Sequence, residues 1–347
     1  APLTFAAPGS SSDLQQDAIN QRQQQQQNQL NAAIAAQQVT ASDVRLQGKT
    51  LAEAGFPQHE AQCFTINQLV LTDYQAEASH AEAGSKLIQP SQFAWALSSV
   101  YAERDFALPA CVGSQGINVL LRRIQNRLIE YGYVTTRVVV EPQDLRSGML
   151  VLTVIPGKVG RIQLQDQSAL PFATRGTLWF AMPLREGELL NLRDIEQGLE
   201  NLKRVPSAEA DFQLVPSENV GETDIVVGYK QRFPFHITLG LDDSGSKATG
   251  RLQGSATFSW DNVLTLNDMF YISGTRSFKR HSDKAEGDYG SQNISLYYSI
   301  PWKNYQLSLS GSRYRYHQTV AGAFESYTYS GESRQMKANL SRLLWRD

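Results

Sequence analysis

The sequence predicts an α+β protein in its first two thirds and an antiparallel β-sheet of the membrane-barrel type in its last third. First, two consecutive segments repeat the order strand, helix, helix, strand, strand. Second, apolar residues recur at helical spacing as far as Val205 and alternate with polar residues after Phe233 and Pro234. Third, 347 residues exceed the size of one ordinary compact domain. These observations predict two small modules followed by a separate sheet domain.

The N-terminal segment is mostly polar and uncharged. Residues 1–12 are rich in Pro, Gly and Ser, whereas residues 13–38 contain no Pro or Gly and many helix formers. We therefore predict a flexible lead and then a helix. The glutamines at 23–27 leave that helix no wide apolar stripe, so it would lie in solvent or in a polar cavity. A disordered Gln-rich tail is the alternative.

Two modules of βααββ order follow a linker at residues 39–60. In the first, the strands are predicted at 63–71, 136–141 and 149–155 and the helices at 91–104 and 117–133, with Ile117, Leu121, Ile124 and Leu128 on the inner helix face. In the second, the strands are predicted at 160–164, 211–215 and 223–230 and the helices at 174–180 and 191–205, with Leu192, Ile195, Leu199 and Leu202 on the inner face.

The segment after residue 233 alternates cleanly, with apolar or small residues at the even positions of 252–260 and Gln, Ser or Thr at the odd ones. About six antiparallel strands result, with polar loops at 279–291 and 317–330. Ser and Thr on one face suit a wetted barrel interior, and Trp260 and Trp302 stand beside turns as interface aromatics do. A soluble antiparallel sheet with one solvated face is the alternative.

Several of these stretches resemble the outer-membrane transporters of two-partner secretion systems, the TpsB family of the Omp85 superfamily. NLRDIEQGLENLKRVPS at 191–207 is similar to the helix of the family's second POTRA domain. The segment 239–273 resembles its first barrel hairpins, and CFTI at 63–66 with the segment 111–132 resembles its first POTRA domain. The resemblance covers residues 13–347.

The resemblance implies a plug helix within 1–38, POTRA 1 at 61–157, POTRA 2 at 158–232 and, at 233–347, the N-terminal part of a sixteen-stranded transmembrane barrel. It implies a Gram-negative outer-membrane location with the POTRA domains in the periplasm. Its activity would be export, without ATP, of a large secreted TpsA-type exoprotein through a monomeric barrel that contacts outer-membrane lipids. A membrane barrel must close, so we expect further strands beyond these.

The two cysteines, Cys63 and Cys111, fall within the first module. If joined, they would close a loop whose chain-entropy contribution to stability is about 4 kcal/mol, and such bonds persist in the periplasm. Two unrelated buried thiols are the alternative.

A client-binding site is predicted at an edge strand of the second module, over Asp211–Val215. An unpaired edge can accept an extended strand through main-chain hydrogen bonds. Phe212 and Leu214 would lie on one face and Gln213 on the other, and proline at Gln213 is expected to remove one donor. Phe212 and Leu214 as core residues are the alternative.

Composition and motifs argue against several other functions. A net charge of −2 gives no broad basic field for nucleic acid. The sequence contains no hydrolase or phosphate-binding motif, so we predict no enzyme activity and no cofactor or metal. An Omp85-type assembly insertase and a soluble periplasmic interaction protein stay open as rival functions. The five histidines lack metal-ligand spacing and are predicted to be surface residues: His59, His80, His236, His281 and His317.

Overall fold

The computed structural model describes residues 48, 50–51, 55–74, 90–169, 175–243, 245–246, 249–278, 288–321 and 325–344. These residues belong to one compact unit, Val44–Asp347. The predicted helix at 13–38 lies outside the described residues. Among the described helices, none is both long and apolar enough to cross a membrane.

The first module is built on a three-stranded mixed sheet. In it β5 is the central strand, parallel to β2 and antiparallel to β4, while β1 and β3 form a separate antiparallel pair. The elements are β1 (Phe64–Ile66), β2 (Gln68–Asp73), a 3₁₀ helix (Ala94–Tyr101), β3 (Ala110–Val112), α1 (Ser114–Glu130), β4 (Arg137–Val139), a 3₁₀ turn (Leu145–Ser147) and β5 (Met149–Ile155).

Three details of this module differ from the prediction. The strand predicted at 63–71 is two strands, because the backbone N–H of Asn67 donates to the Gly148 carbonyl at 2.7 Å and the chain changes sheets there. The helix predicted at 91–104 is a 3₁₀ helix. The inner face of α1 includes Leu120, which is fully buried, whereas Ile117 and Leu121 are half-buried at its border.

The second module repeats the plan with β8 at the centre, parallel to β6 and antiparallel to β7. Its elements are β6 (Lys158–Asp166), α2 (Arg175–Ala181), α3 (Leu192–Lys203), β7 (Ala208–Pro216) and β8 (Glu222–Gln231). The Asn191 side chain accepts the Arg193 N–H and so caps α3. The buried residues of α3 include all four that helical spacing predicted for its inner face, Leu192, Ile195, Leu199 and Leu202.

Six antiparallel strands follow in simple sequential order: β9 (Phe235–Asp242), β10 (Leu252–Asp261), β11 (Met269–Phe278), β12 (Gly290–Trp302), β13 (Tyr305–Ala321) and β14 (Ser326–Arg342). The apolar face of this sheet carries the even positions of β10 and their registered partners, and the polar face carries the odd positions. On the apolar face Ile237 and Leu239 are 72% and 76% exposed, so this face does not form a protein core. Exposed alternating apolar residues of this kind are typical of a lipid-facing surface.

The loop predicted at 317–330 is wrong. His317 registers with Ser330 and Ala321 with Ser326, so most of that stretch is strand. Polar residues on both faces gave it the appearance of a loop, but a ribbon with water on both sides needs no apolar face.

Candidate functional site

Strand β7 forms one edge of the second module. The backbone bonds at its two ends fix which residues face the free side: the Ser207 carbonyl accepts from the Arg232 N–H at 2.9 Å, and the Ser217 N–H donates to the Glu222 carbonyl at 3.4 Å. Both pairs continue the antiparallel register of β7 with β8. Because backbone direction alternates along an antiparallel strand, odd-numbered residues bond β8 and even-numbered residues direct their N–H and C=O groups to the free side.

This parity corrects the expectation for Gln213. Its backbone faces β8, opposite Val226, and so it is not an edge donor. The outward groups belong to Ala210, Phe212 and Leu214, and the described residues place no backbone partner on them. Pro216, which has no N–H, also occupies an outward position, as proline does on edge strands.

The side chains of β7 divide between the module core and solvent. Phe212 and Leu214 pack against the buried cluster of the module, so their side chains serve the core. Gln213 and Val215 are exposed on the opposite face. The candidate client edge therefore consists of the even-position backbone of β7, with odd-position side chains beside it.

A second feature is the junction between the second module and the six-stranded sheet. The turn between β10 and β11 is stabilised by its own side chains, with the Asn267 N–H donating to Asn262 Oδ1 at 2.9 Å. This turn contacts the module helices: Thr177 Oγ1 donates to the Thr265 carbonyl at 2.7 Å, and Asn267 Nδ2 donates to the Asn201 carbonyl. Short polar contacts thus hold this turn against α2 and α3.

The next turn, between β12 and β13, meets the same helices. Asn201 Nδ2 donates to the carbonyls of Lys303 at 2.8 Å and Ala181 at 2.7 Å, and the Lys303 N–H donates to the Phe180 carbonyl at 2.6 Å. Asn201 is buried, and it joins the module to the sheet through carbonyls that water does not reach freely. The sheet end that carries these short turns is therefore the end that faces the modules.

Ser207 and Arg204 of the second module also belong to the junction, where they contact residues on the polar face of the sheet. The Ser207 N–H donates to Asp261 Oδ2 at 3.0 Å, and Arg204 Nη2 donates to Ser299 Oγ at 2.8 Å. Burial lowers the pKa of Arg204, a hydrogen bond with Tyr297 opposes that shift, and the guanidinium stays charged. Sequence reasoning missed Asn201, Arg204 and Ser207. The sequence carries no local signal for them, because four of the five residues at 200–204 are polar, as at any solvated helix end.

The described residues of the linker, 48, 50–51 and 55–60, lie beside the first module. The Phe56 N–H donates to Asp105 Oδ2 at 2.7 Å, and Arg123 Nη2 binds the same oxygen at 2.6 Å. This Arg123 contact lowers the pKa of Asp105, although burial opposes it. Glu60 accepts three backbone N–H groups at the start of α1, from Gly113, Gln115 and Gly116. Burial would raise the pKa of Glu60, but these bonds together lower it.

The remaining predicted residues are placed as follows. Cys63 and Cys111 are joined as a disulfide, with Cα atoms 5.4 Å apart, beside the β1–β3 pair. Trp260 and Trp302 both lie at the module end of the apolar face, where their rings approach Phe235 at 5.0 Å and Tyr305 at 5.8 Å. Within the described ranges no cluster of His, Cys, Asp or Glu could hold a metal ion.

Comparison with known proteins identifies three domains along the chain. The sequence profile described as haemolysin secretion/activation protein ShlB/FhaC/HecB matches residues 221–347. A POTRA domain profile matches residues 158–216, and a ShlB-type POTRA profile matches 97–157.

Two relatives carry transporter names. The outer membrane transporter CdiB-2 of Burkholderia pseudomallei is 34% identical over 291 residues, which are 83% of this chain and 47% of that protein. CdiB of Dickeya dadantii is 30% identical over 69% of this chain and 41% of its own length. The chain thus spans about half the length of these relatives.

Solved structures give the same result for the fold. CdiB from Acinetobacter baumannii superposes with a TM-score of 0.72 at 25% identity, covering 99% of this chain and 61% of that one. CdiB from Escherichia coli gives a TM-score of 0.66 at 23% identity over 100% and 57% of the two chains. With two POTRA domains ahead of a six-stranded part of a barrel, the chain carries the domain of the ShlB/FhaC/HecB haemolysin secretion/activation family at residues 221–347.

Proposed function

We propose that the chain is part of an outer-membrane transporter that exports one large partner exoprotein of the haemolysin, adhesin or contact-dependent inhibition toxin class. One observation carries the proposal. A module with an open backbone edge is fixed by Asn201 to the mouth of a sheet that is apolar on one face and polar on the other. Such a sheet belongs in an outer membrane, with the modules in the periplasm and lipid on the apolar face.

Client capture would use the outward backbone of β7. A client segment in extended conformation would add a strand beside Ala210, Phe212 and Leu214. Each main-chain bond contributes about 0.5–1.5 kcal/mol net, so a few of them correspond to a dissociation constant on the order of millimolar. Weak capture suits transport, because the client must be released into the barrel. The route needs no nucleotide and no catalytic group, and we propose no enzyme activity.

The pore would be closed at rest by residues 13–38, which we propose form a plug helix among the Ser, Thr and Asn side chains of the polar face. Deleting this segment from the complete transporter should raise single-channel conductance in planar bilayers. Unchanged conductance would argue against a plug while leaving the transporter proposal intact.

The decisive experiment compares Leu214→Pro with Leu214→Ala in the complete transporter. Both variants lose the same side-chain packing, but only proline also removes an outward N–H. We expect Leu214→Pro to lower secretion of the exoprotein encoded beside the transporter well below the Leu214→Ala level. Barrel assembly should be equal in the two variants, as measured by heat-modifiable migration on gels.

The same strains separate the rival functions. Equal secretion from two properly assembled variants would contradict strand addition at β7. If loss of the transporter instead lowered the amounts of many outer-membrane barrels and spared the single exoprotein, the chain would be an assembly insertase of the Omp85 type.

A further inference from the structure

At the end far from the modules, the apolar face of the sheet carries charged residues. Register across the strands aligns Gly254 with Arg276, Arg276 with Gln292, Gln292 with Arg315, and Arg315 with Glu332. One step nearer the modules, Ile294 aligns with Arg313 and Arg313 with Arg334. We call the four arginines on this face, Arg276, Arg313, Arg315 and Arg334, the basic patch.

Counted over the described residues, the basic patch carries more positive charge than its neighbours neutralise. Among the described residues Glu332 is the one carboxylate within it, and it accepts from Arg313 at 2.9 Å, from Arg315 at 2.8 Å and from Arg334. Arg276 makes no ion pair with any other described residue. The next carboxylate on this face, Asp288, lies further from the modules and contacts His317 at 3.5 Å. Four guanidinium groups against one carboxylate leave a strong preference for anions.

The height of the patch matches a lipid headgroup layer. Tyr305 marks the module end of the apolar face, and Arg313 is eight residues further along β13. At about 3.3 Å per residue and a tilt of about 40°, these residues are about 20 Å apart along the barrel axis, close to the height of about 25 Å expected for a lipid-facing band. Arginine at mid-membrane would cost about 2–4 kcal/mol, and much less at the interface. The patch therefore lies at the outer-leaflet surface.

An apolar depression of about 520 Å³ adjoins the patch. Small residues, Gly254, Ala256 and Gly274, form its floor, and at Gly274 a Cβ atom would meet nothing within 4 Å. Arg276 and Gln292 border the depression at the end far from the modules. They lie on β11 and β12, whose neighbouring strands on both sides, β10 and β13, belong to the described sheet.

The geometry points to a binding site for a phosphorylated lipid of the outer leaflet. Its phosphate would lie against Arg276 and Arg315, and one acyl chain would fill the depression. Arginine binds phosphate through paired N–H donors. Here the apolar floor of the depression lies beside the arginines of the basic patch, and such a lipid requires both. This inference rests on the proposed outer-membrane location.

The test uses the complete transporter, purified in detergent and titrated with diphosphorylated lipid A under native mass spectrometry. We expect Arg276→Gln with Arg315→Gln to weaken binding at least about tenfold, because two charge-assisted contacts are lost. Arg342→Gln is the matched control. Arg342 lies on the same face but at the module end, beside Tyr305, and should leave binding unchanged.

Two further probes identify the ligand. Lipid A stripped of phosphate should bind at least about tenfold more weakly to the unaltered protein. Inorganic phosphate alone should not compete at equal concentration. Equal binding by the double variant, equal binding of dephosphorylated lipid, or full competition by inorganic phosphate would each overturn the inference. Exoprotein secretion is measured on the same variants. Loss of lipid binding with normal export would leave the transporter proposal standing. Normal lipid binding with no export would contradict the transporter proposal and leave the lipid site standing.

Discussion

The Asn126 side chain binds both backbone groups of Leu51: its oxygen accepts the Leu51 N–H at 2.8 Å and its nitrogen donates to the Leu51 carbonyl at 3.0 Å. Asn126 is buried on α1, so one side chain supplies the partner for a linker segment that belongs to no sheet or helix. This contact, with those of Asp105 and Glu60, holds three points of the linker against the first POTRA domain.

Replacing Asn126 with alanine should release the linker at Leu51. We expect a loss of about 1–3 kcal/mol in the free energy of unfolding, because two hydrogen bonds of about 0.5–1.5 kcal/mol each are lost. Hydrogen exchange of residues 50–56 should become faster in this variant. Arg122→Ala, an exposed substitution on the same helix, is the control and should leave exchange of the linker unchanged. Equal exchange in both variants would show that other contacts hold the linker.

Acid should weaken the linker anchor at Asp105. Its pKa is lowered in the folded protein by Arg123, so this ion pair stabilises the fold above the unfolded pKa of about 3.9 and stops doing so as pH falls through the lowered value. The stability difference between the unaltered protein and Asp105→Asn should therefore be largest near neutral pH and shrink below about pH 4. Urea unfolding at several pH values measures this. If the stability difference between the two proteins grew on acidification, it would contradict the lowered pKa of Asp105.

Contacts within one helix were predictable from the sequence, and contacts between distant segments were not. In α3, Ile195, Leu199 and Leu202 face inward as predicted, because helical spacing is set within a single helix. The direction of the Gln213 backbone instead depends on the bond between Ser207 and Arg232, which are far apart in sequence. Side-chain alternation fixes which face a residue occupies but not which neighbour its N–H addresses.

The junction residues escaped prediction for a related reason. In the helical pattern of α3, Asn201 is a polar residue beside the apolar stripe. No neighbouring residue indicates that its amide donates a hydrogen bond to Lys303 in another domain. Replacing Asn201 with leucine should leave carbonyls on both sides unpaired, at a cost of about 1–3 kcal/mol.

The measurement for Asn201→Leu is protease cleavage between the second module and the barrel, at residues 232–234. We expect faster cleavage in this variant than in the unaltered protein. Glu209→Ala is the control, because Glu209 pairs with Arg232 at 3.6 Å through side chains that are 62% and 69% exposed and contributes little. Cleavage at equal rates in all three proteins would mean that the other junction contacts suffice without Asn201.

The disulfide between Cys63 and Cys111 should be present in the periplasmic protein. Thiol labelling of the unfolded, unreduced protein should modify neither cysteine, and labelling after reduction should modify both. Replacing both cysteines with serine should lower the stability of the first POTRA domain by about 4 kcal/mol. The unfolded chain would then lack the cross-link that joins two residues 48 positions apart in sequence. Two reactive thiols before reduction would contradict the pairing.

The parity of β7 makes a final prediction that is independent of secretion. Proline at Gln213 removes a donor to β8 and leaves a carbonyl of the ladder without its partner, whereas proline at Leu214 removes an N–H that faces away from the sheet. Comparing proline with alanine at each position cancels the loss of the original side chain. We expect the change from alanine to proline to cost about 1–3 kcal/mol more at residue 213 than at residue 214, measured by urea unfolding of the second POTRA domain within the complete protein. A larger cost at residue 214 would reverse the assignment of inward and outward backbone groups, and the secretion test would then have to use Gln213→Pro.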